Sequence, residues 1–190
     1  IGLYQLGYPV YMFIISTISG FPIAISRMVS ERVALGSRSD AHRVFKLSFT
    51  ILFLVGAVIS ILLYLGAPFL IRILRWREGA YYSLVAVAFA PLFVSIMYAY
   101  RGYFQGLQMM AMPAVSQVVE QIGRVAVGVG LTYILLPFGV SYGAAGASFG
   151  ACAGAILGCI ILLVGYMKNK KNMLLHGGPR KKEKAISIIR

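Results

Sequence analysis

Residues 113–136 read PAVSQVVEQIGRVAVGVGLTYILL, with Pro137 following. Between the two prolines the stretch is apolar and about as long as the ~20 residues a helix needs to cross a hydrocarbon core. Within it Gln117, Glu120, Gln121 and Arg124 recur at i, i+3, i+4 and i+7, so a helix places all four on one face. A Glu or Arg near a bilayer centre costs about 2.5–3.5 kcal/mol on insertion scales. Such a stripe is untenable against lipid tails. It is expected to border other helices or a water-filled cavity.

The rest of the chain has the same character. Apolar residues make up 59% of the 190 residues before the 21 glycines are counted, and the mean hydropathy is +0.83. Soluble domains reach about 45–50% with glycine included. Long charge-free windows predict an all-α membrane protein, a polytopic helix bundle of about five transmembrane helices. Their expected positions are about 7–30, 46–72, 80–104, 113–136 and 142–167. The uniformly apolar runs do not fit the short alternating strands of a membrane β-barrel.

A net charge of +13 could suggest nucleic acid, but the placement of the charges argues for a membrane. Five basic residues (Arg27, Arg32, Arg38, Arg43, Lys46) surround the first connection and Arg101 lies at the third. Eight more follow the last span. With alternating spans these fall on one side, and the positive-inside rule makes loops 31–45 and 105–112 and the tail 168–190 cytoplasmic. The expected partners of these basic loops are anionic lipid headgroups, with no nucleic acid. Arg72, Arg75 and Arg77 of RILRWR fall on the outer side, against the trend, with Trp76 suited to an interface. No N-x-[ST] sequon occurs, which fits a bacterial inner (plasma) membrane. Cys152 and Cys159 lie two turns apart on one helix, too far for a disulfide, and are read as packing residues.

A second polar stripe marks the first span. Ser16, Ser19, Ser26, Arg27 and Ser30 fall within a sector of about 100°. Pro22 leaves the Ile18 carbonyl without its amide partner. The serines either bond carbonyls of their own helix or line a cavity, and Arg27 could also reach the interface. In the fifth span Gly146, Gly150, Gly154 and Gly158 recur every four residues, a small-residue ridge for close helix packing. Arg101, amid Tyr98, Tyr100, Tyr103 and Phe104, reads as a snorkelling interfacial anchor. Gly102 and Gly106 read as part of a tight cytoplasmic connection.

The stripe at 117–124 has two readings. In one, Glu120 and Arg124 form a buried ion pair clamping the fourth span to the first or third. In the other, favoured because intramembrane ionisable groups usually mark transport routes, it faces a polar cavity shared with the first span. Candidate cavity and substrate-binding residues are therefore Ser16, Ser19, Ser26, Arg27, Gln117, Glu120, Gln121 and Arg124. Arginine suits phosphate oxygens, so the cavity would take an anionic substrate. No clustered Asp or His supports catalysis or a metal, so no enzyme, cofactor or metal is expected.

GFPIAISRMVSERVALG (20–36), YRGYFQGLQMMAMPAVSQVVEQIGRV (100–125) and the glycine-rich fifth span resemble the stage V sporulation protein B-like branch of the polysaccharide-export and lipid II flippase proteins. These sit within the multidrug/oligosaccharidyl-lipid/polysaccharide exporter superfamily. The resemblance implies a two-lobe transporter working by alternating access. Residues 1–167 would be an incomplete N-terminal transporter lobe and 168–190 a basic cytoplasmic inter-lobe linker. A start inside an apolar segment and an end on AISII fit an internal piece. Its partners would then be the missing first helix and C-terminal lobe of the same protein. The implied function is a flippase for an undecaprenyl-pyrophosphate-linked oligosaccharide, lipid II in particular. The rivals are a cation-coupled multidrug antiporter and a non-transporting membrane scaffold. Only the cavity-facing sense of the first span carries over from the resemblance. Arg27 and Arg124 are read from this sequence.

Overall fold

The computed structural model describes residues 2–73, 75–76 and 79–175, and it is helical throughout apart from short turns. The helices are α1 (Gly2–Ile18), α2 (Phe21–Ala34), α3 (Arg38–Ile73), α4 (Ala80–Ala88), α5 (Ala90–Gly106), α6 (Ala111–Leu135) and α7 (Val140–Leu175). A 3₁₀ turn at Leu136–Phe138 joins the last two. Among the described residues five spans are long and apolar enough to cross a membrane: Tyr11–Ala34, Arg38–Ile73, Ala80–Gly106, Ala111–Phe138 and Val140–Lys168.

Two expected helices are interrupted, each at a proline. The first span breaks at Ser19–Gly20, where Pro22 opens α2 and supplies no amide to the preceding turn. The third breaks at Phe89, with Pro91 at the start of α5. Conversely, α3 begins eight residues before the expected start, so the connection after α2 shrinks to Leu35–Ser37. Gly36 makes this tight turn possible: at φ +77° its amide reaches the Val33 carbonyl while Ser37 reaches Arg32. That is the Schellman arrangement, which favours glycine at this position. Ser37, just before α3, donates a 2.6 Å hydrogen bond to Asp40 in its first turn. The connection between α5 and α6 is Leu107–Met110, and residues 176–190 of the expected linker lie outside the described residues.

The glycine ridge of α7 seats α6. A Cβ at Gly146 would lie 2.9 Å from the Leu131 carbonyl carbon, and one at Gly150 would lie 2.7 Å from Gly128 Cα. At Gly154 it would sit 2.6 Å from the Glu120 carbonyl oxygen. Gly158 continues the line toward Ser116 and Glu120. Backbones this close gain dispersion contacts that lipid cannot replace.

Gly102 and Gly106 do the same for α5, contrary to their reading as a loop. Both are inside α5 and lie against α2: a Cβ at Gly102 would be 2.8 Å from the Pro22 carbonyl oxygen, and one at Gly106 would be 2.8 Å from that of Ser26. The aromatic residues around Arg101 are likewise core rather than interfacial belt. Tyr100, Tyr103 and Phe104 are buried. With Phe45 of α3 and Tyr166 of α7 they form one ring cluster, in which Phe45 and Tyr103 stack at 4.4 Å. It ties α3, α5 and α7 together. Away from this core α3 shows Ile51, Leu54, Leu62, Leu65 and Phe69 to the surroundings, a lipid-facing side.

Candidate functional site

The buried line of α6 is Pro113, Ser116, Glu120, Gly123 and Gly128, and the small residues in it let α7 and α5 approach. Glu120 is thereby carried into the bundle, where it is 5% exposed. Two arginines meet it from different directions. Arg101 Nη2 of α5 lies 2.8 Å from Oε2, and Arg124 Nη2, one turn further along α6, lies 2.9 Å from Oε1.

The two cations are held differently. Arg101 is 9% exposed, and its Nε donates to Ser116 Oγ at 3.0 Å; that hydroxyl in turn donates to the Pro113 carbonyl at 2.7 Å. Arg101 is thus clamped on two sides. Arg124 is only partly buried. Beyond Glu120 it reaches the Tyr11 hydroxyl of α1 at 3.4 Å, with its guanidinium 6.0 Å from the Tyr11 ring centre. Its Nε has no hydrogen-bond partner among the described residues. Arg124 also lines one end of a cleft of about 430 Å³ along α6 and α7, together with Gly128, Thr132, Tyr133 and Ala147.

The charge sum decides what the cluster can do. Two guanidinium groups face one carboxylate, so the network retains one positive charge inside the membrane. A buried ion pair must offset the desolvation of both partners, and a surplus cation makes an added anion favourable. Arg101 is committed to Glu120 and Ser116. Arg124, only partly buried and lining an open cleft, is the group able to take a phosphate or carboxylate oxygen.

The sequence candidates separate in space. Glu120 and Arg124 come together, joined by Arg101, Ser116 and Tyr11. Gln117 and Gln121 are exposed on the outside of α6. The stripe is about 100° wide, and adjacent residues on a helix differ by the same angle. When its Glu120 edge enters the seam, the Gln121 edge stays outside. Ser16, Ser19 and Arg27 are exposed and Ser26 is half-buried. No hydrogen bond or ion pair among the described residues joins these four to the cluster. Ser19 and Ser30 donate to the carbonyls of Ser16 and Arg27 in their own helices. Arg27 pairs with Glu31 at 3.1 Å, its side chain 83% exposed.

Arg101 is the clearest departure from the sequence reading. It is a buried partner of Glu120 and not a snorkelling anchor. Its aromatic neighbours suggested an interface, yet it lies five residues, or about 8 Å, inside the end of α5. A sequence signal for Ser116 did exist, since it precedes Glu120 by four residues and so shares its face. Tyr11 carried none. Among the described residues no three His, Cys, Asp or Glu side chains are placed to hold a metal.

Comparison with known proteins bears on this geometry. A family model described as "Polysaccharide biosynthesis protein" matches residues 1–180. Three curated proteins of Bacillus subtilis (strain 168) are similar over 90% of the chain. They are stage V sporulation protein B (32% identical over 172 residues), lipid II flippase MurJ (33% over 184) and the uncharacterized membrane protein YabM (34% over 173). The matched region is 33%, 34% and 32% of their respective lengths, so the chain spans about a third of each relative. No solved structure matches it significantly.

Proposed function

Because the chain belongs to the polysaccharide biosynthesis protein family, in its stage V sporulation protein B and lipid II flippase-like branch, we propose that it is part of a bacterial membrane flippase for a lipid-linked oligosaccharide. Within that class the reading favours an undecaprenyl-pyrophosphate carrier, lipid II in particular, moved by alternating access. The observation that carries it is the surplus cation of the Arg101–Glu120–Arg124 network, with Arg124 half engaged beside an open cleft. A diphosphate brings the charge that this site lacks. The sugar stays on the polar side and the polyprenyl tail remains in lipid.

The division of labour follows from the contacts. Ser116 holds Arg101, Arg101 holds Glu120, and Glu120 holds Arg124 by one nitrogen. As the diphosphate approaches, Arg124 exchanges a shared carboxylate for a fuller charge, and the carboxylate keeps its bond to Arg101. Glu120 is therefore the counter-ion that keeps Arg124 oriented between transport events. A cation-coupled antiporter would need a carboxylate free to take up its ion, whereas both oxygens of Glu120 are engaged by arginines.

The experiment is translocation of fluorescent lipid II by the whole protein in vesicles, with growth of a flippase-depleted strain as a second readout. Arg124→Gln is expected to lower translocation about tenfold or more while leaving the melting temperature within a few degrees of wild type. Normal translocation and growth with Arg124→Gln would remove the site from the mechanism.

A further inference from the structure

The opposite end of the bundle holds a second cationic site, built from the RILRWR segment that the transport reading leaves unused. Arg72 and Arg75, with Trp76, Tyr81, Tyr82 and Ser141, line a cleft of about 830 Å³ where α3, α4 and α7 meet. That volume is in the range of small-molecule sites. Both arginines are exposed, and among the described residues neither is paired with a carboxylate. Tyr82 packs at 5.1 Å on Tyr142 of α7 and at 5.8 Å edge-on to Tyr81, giving the cleft an aromatic wall.

Backbone geometry adds a separate observation. Helix α3 ends in a Schellman arrangement: Trp76 N–H reaches the Ile71 carbonyl and Arg75 N–H that of Arg72. The left-handed position of this motif is usually glycine. Gly36 fills it at the end of α2, but Arg75 fills it here, at φ +50°. A non-glycine residue in this region costs of order 1 kcal/mol. The cost brings the Arg75 side chain to the cleft lined by Arg72 and Trp76. The same arginines also run against the positive-inside trend, which concentrates basic residues on the other face.

We propose that this cleft binds a phosphate group at the outer membrane surface, with Arg72 and Arg75 as its charged contacts and Trp76 and Tyr82 as its walls. Paired guanidinium forks match phosphate oxygens, and Trp and Tyr favour the headgroup level. An anionic phospholipid headgroup and a free phosphate anion share this chemistry. The site stands on the sidedness of the membrane and is independent of what the protein transports.

The test uses Trp76, the single tryptophan of these 190 residues, as reporter in the protein reconstituted in phosphatidylcholine nanodiscs. One arm raises the phosphatidylglycerol fraction; the other adds inorganic diphosphate. A saturable fluorescence change with phosphatidylglycerol alone assigns the site to a lipid headgroup, and a change with both assigns it to phosphate from either source. Arg72→Gln combined with Arg75→Gln should raise the half-saturating concentration about tenfold or more, whereas Arg43→Gln on the opposite face should not alter it. Arg75→Gly keeps the turn in its preferred residue type, so weaker binding with an undiminished melting temperature separates lost contact from lost folding. No saturable response in either arm overturns the proposal, as does a double variant and an Arg75→Gly variant that both bind like wild type.

Discussion

Three side chains on two helices define what single substitutions should do at the buried network. Arg101→Ala leaves Glu120 with Arg124 alone and frees the Ser116 hydroxyl from its donor. Breaking a buried pair from one side costs about 3–5 kcal/mol, so the variant should melt well below wild type in detergent. Arg124→Ala removes a partly exposed partner and leaves the 2.8 Å Arg101–Glu120 pair intact. It should cost less stability than Arg101→Ala and more transport. Glu120→Gln strips both arginines of their counter-charge and should be the least stable of the three. Equal melting temperatures across the set would show that the network contributes nothing to the fold. Glu120 and Arg124 were legible as a pair because they stand four apart on one helix. Arg101 was not, because no spacing rule connects residues on different helices.

Between helices, close approach is governed by where side chains are missing. Gly154→Ala would place a Cβ 2.6 Å from the Glu120 carbonyl oxygen, on a backbone that cannot yield cheaply. Overpacking of this kind costs about 1–3 kcal/mol, and here it would also displace the turn carrying Glu120 and Arg124. A Cβ at Gly66 in α3 meets nothing within 4 Å. Gly66→Ala should therefore be neutral or stabilising by up to about 1 kcal/mol, as expected for a helix interior. Thermal melting of the two variants side by side checks both signs. The four-residue repeat of α7 announced a packing ridge in the sequence. That its partner is α6, with Glu120 directly on the ridge, was not announced. Gly102 and Gly106 carry the same repeat on α5, but the prolines and glycines around them resembled a loop.

Across the molecule, α6 divides its surface between the bundle and an exposed side that carries both polar and apolar residues. Val118, Ile122, Val125 and Val129 are exposed and apolar, and Gln117 and Gln121 stand exposed beside them. With Cys152 and Cys159 both buried, single cysteines can report on each strip. Gln117→Cys and Gln121→Cys should react with a membrane-impermeant maleimide in the whole protein, and Val118→Cys and Ile122→Cys should not. Uniform protection of all four would mean that the polar strip is not hydrated. The sequence by itself determined the all-α membrane architecture and its five spans. Those depend on hydropathy and the absence of charge over long windows, which are properties of local chain. It also determined that the fourth span carries a polar stripe needing partners. Only the tertiary structure decided that the stripe splits, with Glu120 in a seam against Arg101 and the glutamines outside. Only it placed Arg72, Arg75, Trp76 and Tyr82 around one cleft. The reason is that helix rotation and partner choice are set by packing summed over whole faces, which no single stretch of sequence contains.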